Sequence, residues 1–169
     1  EKMKQTIAII DDHTLIAKAL SGIISNFEHF EVIYDCENGK DLIEKLKIKA
    51  NIPNIVLLDI SMPIMNGFET AKWLKENHPN IKIMALSMQD DDQSVIKMIK
   101  NGAHGYLLKN THPAELEKAL TKLVDDGFFY PDWASKIVFN TFNSIEKPSQ
   151  NQLKLNDREL EFLKYTTTD

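Results

Sequence analysis

The sequence predicts an α/β protein with a parallel central sheet and helices on both faces. Short apolar runs typical of strands alternate five times with segments in which apolar residues recur every three to four positions, as on one helix face. Two of the runs, residues 7–10 and 55–58, are apolar at every position. Central strands that helices cover on both faces have this pattern, so both observations indicate the same fold class.

The predicted strands are short and rich in branched apolar residues, which favour extended backbone. They comprise residues 6–10, 31–35, 55–58, 82–86 and 105–108. A helical pattern follows each of them, which is typical of parallel strands joined by helical connections. Ligands in such folds bind outside the carboxyl ends of the strands. The residues that directly follow each strand are therefore the first candidates for function.

Helical periodicity fills the segments between the strands. The first helix has a wide apolar stripe, made of Leu15, Ile16, Ala19, Leu20, Ile23, Ile24 and Phe27. Three shorter helices are expected around residues 42–46, around 68–74 with an end before Pro79, and around 95–99 with an end near Asn101-Gly102. A fifth is expected around residues 116–124, with Pro113 suited to its first turn.

The alternation stops after about residue 127, which divides the chain into three expected parts. Residues 3–127 form the α/β domain. Residues 128–152 form a linker, with a helix over about 132–143 and a polar stretch around Pro148. Residues 153–169 begin another helix, which Asn156 or Asp157 can cap, and we expect this part to be the start of a truncated second domain.

Composition excludes several classes of protein. The 169 residues are 43% apolar and 27% charged, as in an ordinary globular protein. A net charge of −5 argues against a chain that binds nucleic acid over its whole surface. The single cysteine, Cys36, excludes an internal disulfide and a cysteine-rich zinc site. Because no run of 18 apolar residues occurs, we expect a cytoplasmic protein without a membrane partner.

Polar side chains follow four of the five predicted strands. Asp11 and Asp12 follow the first strand, Asp59 the third, Ser87 the fourth and Lys109 the fifth. An aspartate after a strand is usually a cap or a turn residue, and each of these residues alone has that interpretation. In a parallel sheet all five lie at the same edge, so their joint occurrence predicts a site.

Three carboxylates at one edge repel one another, by roughly 4 kcal/mol per pair at 4 Å with an effective dielectric near 20. A cation offsets this repulsion, and oxygen ligands without cysteine or clustered histidine favour Mg²⁺, with Mn²⁺ as a substitute. A carboxylate beside such a cation can attack phosphorus to give an aspartyl phosphate. His13 follows the acidic pair, and we expect it to begin the first helix and to point to solvent.

The segments IIDDH, LLDISMPIMNG, ALS and GAHGYLLK resemble, in this order, the receiver domain of bacterial two-component response regulators. The resemblance covers residues 4–127 and implies the CheY-like, flavodoxin-like fold with a five-stranded parallel sheet. It implies that Asp59 is the phosphoacceptor. It also implies that Mg²⁺ binds to Asp11, Asp12, Asp59 and the backbone carbonyl of Ser61.

The same resemblance implies roles for three further residues. Ser87 and Lys109 would contact the phosphoryl oxygens. Tyr106 matches the aromatic residue of strand five that swings inward when the residue at the position of Ser87 moves towards the phosphoryl group. The alternative for Tyr106 is a half-buried tyrosine with its hydroxyl in water. The chain departs from the family at Asn110, because many receivers have a proline after the active-site lysine.

The segment LKLNDRELEFLKY, residues 153–165, resembles the opening of the LuxR-type helix-turn-helix output domain of the NarL/FixJ subfamily. That subfamily's recognition helix would come later, so DNA binding is expected only through a domain that is mostly missing here. The resemblance implies a sensor histidine kinase as phosphoryl donor, and a homodimer is a possible assembly. It implies no enzyme activity beyond the chain's own phosphorylation and dephosphorylation.

Three other functions remain open at this point. A flavodoxin-like carrier of FMN would need a phosphate-binding loop after the first strand, where two aspartates would repel the phosphate. A Mg²⁺-dependent phosphatase with an aspartyl nucleophile would need an enclosing cap, and no segment is long enough to form one. A receiver-like interaction module that acts without phosphorylation is excluded by nothing in the sequence.

Overall fold

The computed structural model describes residues 3–88 and 91–146. Five strands lie in this part of the chain, each within one residue of its predicted bounds. They are β1 (Gln5–Ile10), β2 (Phe30–Cys36), β3 (Ile55–Asp59), β4 (Lys82–Ser87) and β5 (Gly105–Leu108). The sequence therefore locates every strand, including the one that ends on the charge of Asp59.

The helices also agree with the predictions, apart from one short 3₁₀ turn at Lys49–Asn51 that the sequence did not predict. A reciprocal capping box between Asn66 and Glu69 begins the third helix, and Gly127, in the left-handed region at φ 89°, ends the fifth. The helices are α1 (Thr14–Ile24), α2 (Gly39–Leu46), α3 (Gly67–Asn77), α4 (Asp92–Lys100), α5 (Pro113–Asp126) and α6 (Asp132–Glu146).

The sheet is parallel throughout, with strand order β2-β1-β3-β4-β5. This confirms the predicted five-stranded parallel α/β fold. Residues 7–10 and 55–58 are fully buried, as their apolar pattern predicted. The chain leaves β1 in one direction to form β2 and returns on the other side to form β3. A ligand crevice opens where the strand order reverses in this way, here between the carboxyl ends of β1 and β3.

One face of the sheet forms the larger hydrophobic core together with α1 and α5. Ile7 and Leu57 of the central strands lie in the same buried cluster as Leu20 and Leu120 of these helices. The predicted stripe on α1 was wrong at one edge, because Leu15 is 86% exposed. Seven apolar positions cover more of a helix than the sheet can bury, and the sequence does not show which edge remains outside.

The chain returns to the free edge of β5 after α5. Phe129 forms a single parallel bridge with Gly105. The amide of Phe129 donates to the His104 carbonyl at 3.1 Å, and the Tyr106 amide donates to the Phe129 carbonyl at 3.2 Å. The strand edge is therefore covered at this point by residues that the sequence assigns to the linker.

The compact unit that contains the sheet extends to Ser135, and the described residues from Lys136 onwards belong to a second unit. The predicted linker helix is present as α6. The expected start of the output domain, residues 153–169, lies outside the described residues. Among the helices of the described ranges, none combines the length and the apolar character needed to cross a membrane.

Candidate functional site

The predicted site residues of β1, β3 and β5 meet at the carboxyl edge of the sheet. The Nζ atom of Lys109 lies 2.9 Å from Oδ2 of Asp11 and 3.0 Å from Oδ1 of Asp59. None of these three side chains is more than 5% exposed. Asp12 adds a third carboxylate that is 32% exposed. The one ammonium therefore pairs with two of the three carboxylates, and the group keeps an excess of negative charge.

Local backbone contacts bring these strand ends together. The Lys109 amide donates to the Ser87 carbonyl at 2.7 Å, which holds the end of β5 against the end of β4. The Gly67 amide donates to the Ile60 carbonyl at 2.8 Å. A Cβ atom on Gly67 would lie 2.7 Å from Cα of Ile60, so only glycine lets α3 begin this close to the end of β3.

The protonation of Asp59 reflects its surroundings. Burial raises the pKa of Asp59 most, the charge of Asp11 adds to the rise and Lys109 opposes both, so that the pKa is about 6. A buried carboxylate beside another carboxylate holds its proton more tightly, because ionisation adds charge to a poorly solvated, negatively charged site. A cation bound nearby would favour the ionised form of Asp59.

The carboxylate oxygens at this edge fit a divalent cation. Oδ1 of Asp12 and Oδ2 of Asp59 are buried without a hydrogen-bond partner. Buried polar atoms normally have such a partner, so two orphaned anionic oxygens in one place point to a cation. Ligand atoms of Asp11, Asp12, His13 and Asp59 all lie within 4.8 Å of one another. Carboxylate oxygens suit Mg²⁺ or Mn²⁺, as the sequence predicted.

An open cavity of about 240 Å³ lies over Asp59. Ser61 and Ser87, both predicted from the sequence, line it. Asp91 and Ser94 also line it, and sequence analysis missed them. The available signal was the short connection from β4, because a helix that starts soon after a strand end presents its first turn to the same edge of the sheet.

The expectation for His13 was right in part, because His13 is the N-cap of α1 but its ring does not point only to solvent. Its ring is half-exposed, but Nδ1 lies 3.0 Å from Oδ1 of Asp11 and 3.1 Å from Nζ of Lys109. The cause is local, since the His13 amide donates to Oδ1 of Asp11 at 2.8 Å and α1 starts at the next residue. This turn carries the imidazole over the acidic residues.

Tyr106 is fully buried, so the alternative with its hydroxyl in water was wrong. Its ring meets the ring of Trp133 edge to face, with centroids 5.8 Å apart and planes at 85°. Tyr106 pairs with Ala85 in the β4–β5 register, two residues before Ser87. The bond between Lys109 and Asn110 is trans, as are the other peptide bonds of the described residues.

Comparison with known proteins agrees with this geometry. The family model of the response regulator receiver domain matches residues 7–121. Transcriptional regulatory protein DegU of Brevibacillus brevis is 32% identical over 162 residues, which are 95% of this chain and 68% of DegU. The nitrate/nitrite response regulator protein NarL of Escherichia coli K12 is 36% identical over 115 residues, which are 68% of this chain and 52% of that protein.

A solved structure shows the same likeness. The signal receiver domain of a NarL response regulator from Mycobacterium tuberculosis superposes with a TM-score of 0.67 at 27% identity, over 73% of this chain and 98% of that one. The family match covers more than half of the chain, and its bounds enclose Asp11, Asp59 and Lys109. The chain therefore belongs to the response regulator receiver family of two-component signalling, and transcriptional regulators of the NarL type are among its relatives.

Proposed function

We propose that Asp59 accepts a phosphoryl group from the phosphohistidine of a sensor histidine kinase, in a step that requires Mg²⁺ or, in its place, Mn²⁺. One observation carries the proposal. Asp59 is a buried carboxylate with Oδ1 paired to Lys109 at 3.0 Å, while Oδ2 has no hydrogen-bond partner. Because Asp59 lines an open cavity, a donor can approach it from solvent.

The chain's own residues would perform the transfer as follows. A carboxylate oxygen of Asp59 forms the new bond to phosphorus while the bond from phosphorus to the donor's imidazole nitrogen breaks, and the imidazole leaves. Lys109, already beside Asp59, would neutralise charge on the phosphoryl oxygens, and the Ser87 hydroxyl would donate a hydrogen bond to one of them. Because its pKa is about 6, Asp59 is mostly ionised and nucleophilic at neutral pH.

The cation would be held by Asp11, Asp12, Asp59 and the backbone carbonyl of Ser61. When bound, it supplies positive charge that stabilises the phosphoryl oxygens during transfer. The carboxylates have a second effect, since without a cation their mutual repulsion keeps an anionic phosphoryl group away. The metal requirement thus follows from the charge balance of the site.

Ser87 and Tyr106 would form the switch. The Ser87 hydroxyl would move towards a phosphoryl oxygen on Asp59, and Tyr106 would take up its buried position in the active state. To change the population of that state from 1:99 to 99:1, phosphorylation must favour it by about 5.5 kcal/mol. Several charge-assisted hydrogen bonds to one phosphoryl group supply a free energy of this order.

Phosphorylation would control a transcriptional output in the cytoplasm. We assign DNA binding to the helix-turn-helix domain that the sequence predicts from residue 153 onwards, with a homodimer as the assembly. The chain would then turn over no external substrate beyond its phosphodonor. The alternative, an interaction module that acts without phosphorylation, has no specific observation in its favour.

Intact mass spectrometry after incubation with acetyl phosphate tests the proposal. With Mg²⁺ the chain should gain the mass of one phosphoryl group. The gain should be absent when EDTA replaces the metal and in Asp59→Asn, which preserves the shape of the side chain. A gain that persists in Asp59→Asn would assign the acceptor to another residue. No gain in the unaltered chain would support the interaction module.

A further inference from the structure

We propose that His13 is an additional protein ligand of the divalent cation, through Nδ1, and that it shifts the site's preference towards transition metals that bind nitrogen. The ions concerned are Mn²⁺, Co²⁺ and Ni²⁺, compared with Mg²⁺. The inference rests on the proposed function only in that the same acidic residues hold the ion. It adds a ligand that neither the family likeness nor the carboxylates alone would suggest.

Distances between the candidate ligand atoms carry the first step. Nδ1 of His13 lies 3.0 Å from Oδ1 of Asp11, 3.6 Å from Oδ1 of Asp12 and 3.8 Å from Oδ2 of Asp59. With metal–ligand bonds of about 2.1 Å, neighbouring atoms of an octahedral ion are about 3.0 Å apart and opposite atoms about 4.2 Å. All three distances lie within the range that the ligand atoms of one such ion span, so the nitrogen and the three carboxylate oxygens are close enough to share one ion.

The contacts of Nδ1 carry the second step, because they make opposite demands on one nitrogen. Oδ1 of Asp11 can only accept a hydrogen bond from it, whereas the Lys109 ammonium at 3.1 Å can only donate one to it. With a hydrogen on Nδ1, the contact with Lys109 is unfavourable, and without one the contact with Asp11 is. A cation bound to the lone pair of Nδ1 and to Oδ1 of Asp11 would satisfy both atoms, while Lys109 would keep its ion pairs with Oδ2 of Asp11 and Oδ1 of Asp59.

A further observation also indicates a cation beside Nδ1 of His13. Oδ2 of Asp59 belongs to a side chain that is only 5% exposed, and it has no hydrogen-bond partner. Imidazole binds Mn²⁺, Co²⁺ and Ni²⁺ increasingly well, while Mg²⁺ prefers oxygen. Removal of the imidazole should therefore weaken the affinity for these metals more than the affinity for Mg²⁺.

Calorimetric titrations of the unphosphorylated chain at one fixed pH test this inference. Mg²⁺ and Ni²⁺ are titrated into the unaltered chain, His13→Ala, His13→Gln and the control His29→Ala, whose histidine lies at the opposite end of the sheet beside Gln5. His13→Ala should lose Ni²⁺ affinity on the order of tenfold or more, because even residues that only hydrogen-bond to a metal ligand have effects of this size. His13→Gln should lose Ni²⁺ affinity but keep Mg²⁺ affinity, and His29→Ala should change neither.

Equal losses for Mg²⁺ and Ni²⁺ in both His13 variants would overturn the inference, because His13 would then only position the acids. Unchanged Ni²⁺ affinity would overturn it as well. In either case, a Mg²⁺-dependent gain of mass from acetyl phosphate would leave the proposed function standing. If the unaltered chain binds neither metal, both the inference and the metal-dependent step fall.

A different observation carries a second inference. We infer that a change in the position of Tyr106 changes the surroundings of Trp133, and through Trp133 affects α6. This inference rests on the premise that Asp59 is phosphorylated as proposed. Tyr106 is held from two directions by the segment that follows α5. Its amide donates to the Phe129 carbonyl, and its ring packs against Trp133 in the first turn of α6.

The segment that follows α5 packs closely against the edge of β5. A Cβ atom on Gly105 would lie 2.8 Å from the Phe129 carbonyl oxygen, so a larger residue would force the two apart. The Tyr130 hydroxyl donates to the Ala103 carbonyl at 3.1 Å. Tyr106 therefore cannot move without a change in the surroundings of Trp133, and Trp133 is joined to the rest of α6 by helical backbone.

Tryptophan fluorescence tests this inference, because the chain has only two tryptophans. Trp73→Phe leaves Trp133 as the sole emitter, and Trp133→Phe leaves Trp73 of α3 as the matched control. After acetyl phosphate and Mg²⁺, with the mass gain verified on the same sample, emission should shift in Trp73→Phe and stay constant in Trp133→Phe. The shift should disappear when Tyr106→Leu is added to Trp73→Phe.

A verified mass gain with constant Trp133 emission would overturn the inference and leave the phosphorylation of Asp59 intact. The same shift with and without Tyr106→Leu would also overturn it, since Trp133 would then respond by another route. Absence of a mass gain would remove the premise, and the inference would fall together with the proposed function.

Discussion

The two ends of β5 differ in how far their polar groups are hydrogen-bonded. Beyond its carboxyl end, Lys109 faces an excess of carboxylates, and Oδ2 of Asp59 lacks a hydrogen bond. At its amino end, His104 is fully engaged, since its Nδ1 accepts from the Ile83 amide at 2.9 Å and its carbonyl accepts from Phe129. The acidic end at Lys109 keeps buried anionic oxygens without hydrogen bonds, whereas the linker end, where Phe129 contacts β5, is a completed structural contact.

The pKa shifts give the two regions opposite dependences on pH. The pKa of Asp59 is raised from 3.8 to about 6, so its contribution to stability is present below pH 3.8 and is lost as the pH rises through 6. Burial, with a smaller effect of Lys82, lowers the pKa of His104 from 6.5 to about 4. Its contribution is present above pH 6.5 and is lost as the pH falls through 4. The two ends of β5 therefore respond to pH in opposite directions.

The largest expected effect on stability follows from removal of the Lys109 ammonium, which pairs with two buried carboxylates. Lys109→Met should lower the free energy of unfolding by about 3–5 kcal/mol at pH 8, because it leaves two buried carboxylates without their partner. Urea denaturation measures this. Lys18→Met is the control, since its ion pair with Asp35 is largely exposed and should contribute less than about 1 kcal/mol. Equal effects of the two variants would contradict the comparison.

Replacement of a buried carboxylate by a neutral amide should change the free energy of unfolding in the opposite direction. In metal-free buffer at pH 8, Asp59→Asn should raise the free energy of unfolding by up to about 3 kcal/mol, because it removes the cost of an ionised, buried Asp59. The gain should shrink as the pH falls towards 4, where Asp59 itself becomes protonated. Denaturation at a series of pH values measures it. A variant that is less stable at pH 8 would show that the pairing with Lys109 outweighs burial.

At the linker end of β5, stability should depend on steric fit rather than on charge. In Gly105→Ala the new methyl group would lie 2.6 Å from Sδ of Met84 and 2.8 Å from the Phe129 carbonyl, which should cost about 1–3 kcal/mol. Gly22→Ala is the control, since nothing lies within 4 Å of that position in α1, and it should gain about 0.5–1 kcal/mol. Calorimetric melting measures both. A change in Mg²⁺ affinity in Gly105→Ala would contradict the separation of the two ends.

The smallest expected effect concerns the loop between β3 and α3. Ile64 has φ 68° and is 77% exposed, so its Cβ is strained without a gain from burial. Ile64→Gly should raise the free energy of unfolding by about 1 kcal/mol, while Ile64→Ala, which keeps a Cβ, should change it little. Urea denaturation compares the two. The same value for both variants would show that the loop is not strained.

The sequence predicts most of the fold because its signals are local. The apolar runs that end at Ile10 and Leu58 identify central strands, and a parallel sheet then brings Asp11 and Asp59 to one edge. The positions at which the structure differs from the sequence-based expectation, His13 and Leu15, depend instead on how a side chain is oriented. His13 faces the acids because its amide is bound to Asp11, and the exposure of Leu15 depends on how α1 is rotated. Periodicity indicates that a helix has a buried face, but it does not fix that rotation.

The contact between the linker and β5 was unpredictable for a different reason. A single bridge between Phe129 and Gly105 leaves no alternation of apolar and polar residues in the sequence. The contact of Trp133 with Tyr106 joins two segments that are far apart in the chain, so no local pattern predicts it.

The most direct test of the central claim is to locate the phosphoryl group on the chain. Borohydride reduces an acyl phosphate to an alcohol and releases phosphate, so a phosphorylated aspartate becomes homoserine. After treatment with acetyl phosphate and Mg²⁺, tandem mass spectrometry of the reduced peptides should find homoserine at position 59 alone. Homoserine at position 11 or 12, or a gain of mass with no homoserine anywhere, would contradict the assignment of Asp59 as the acceptor.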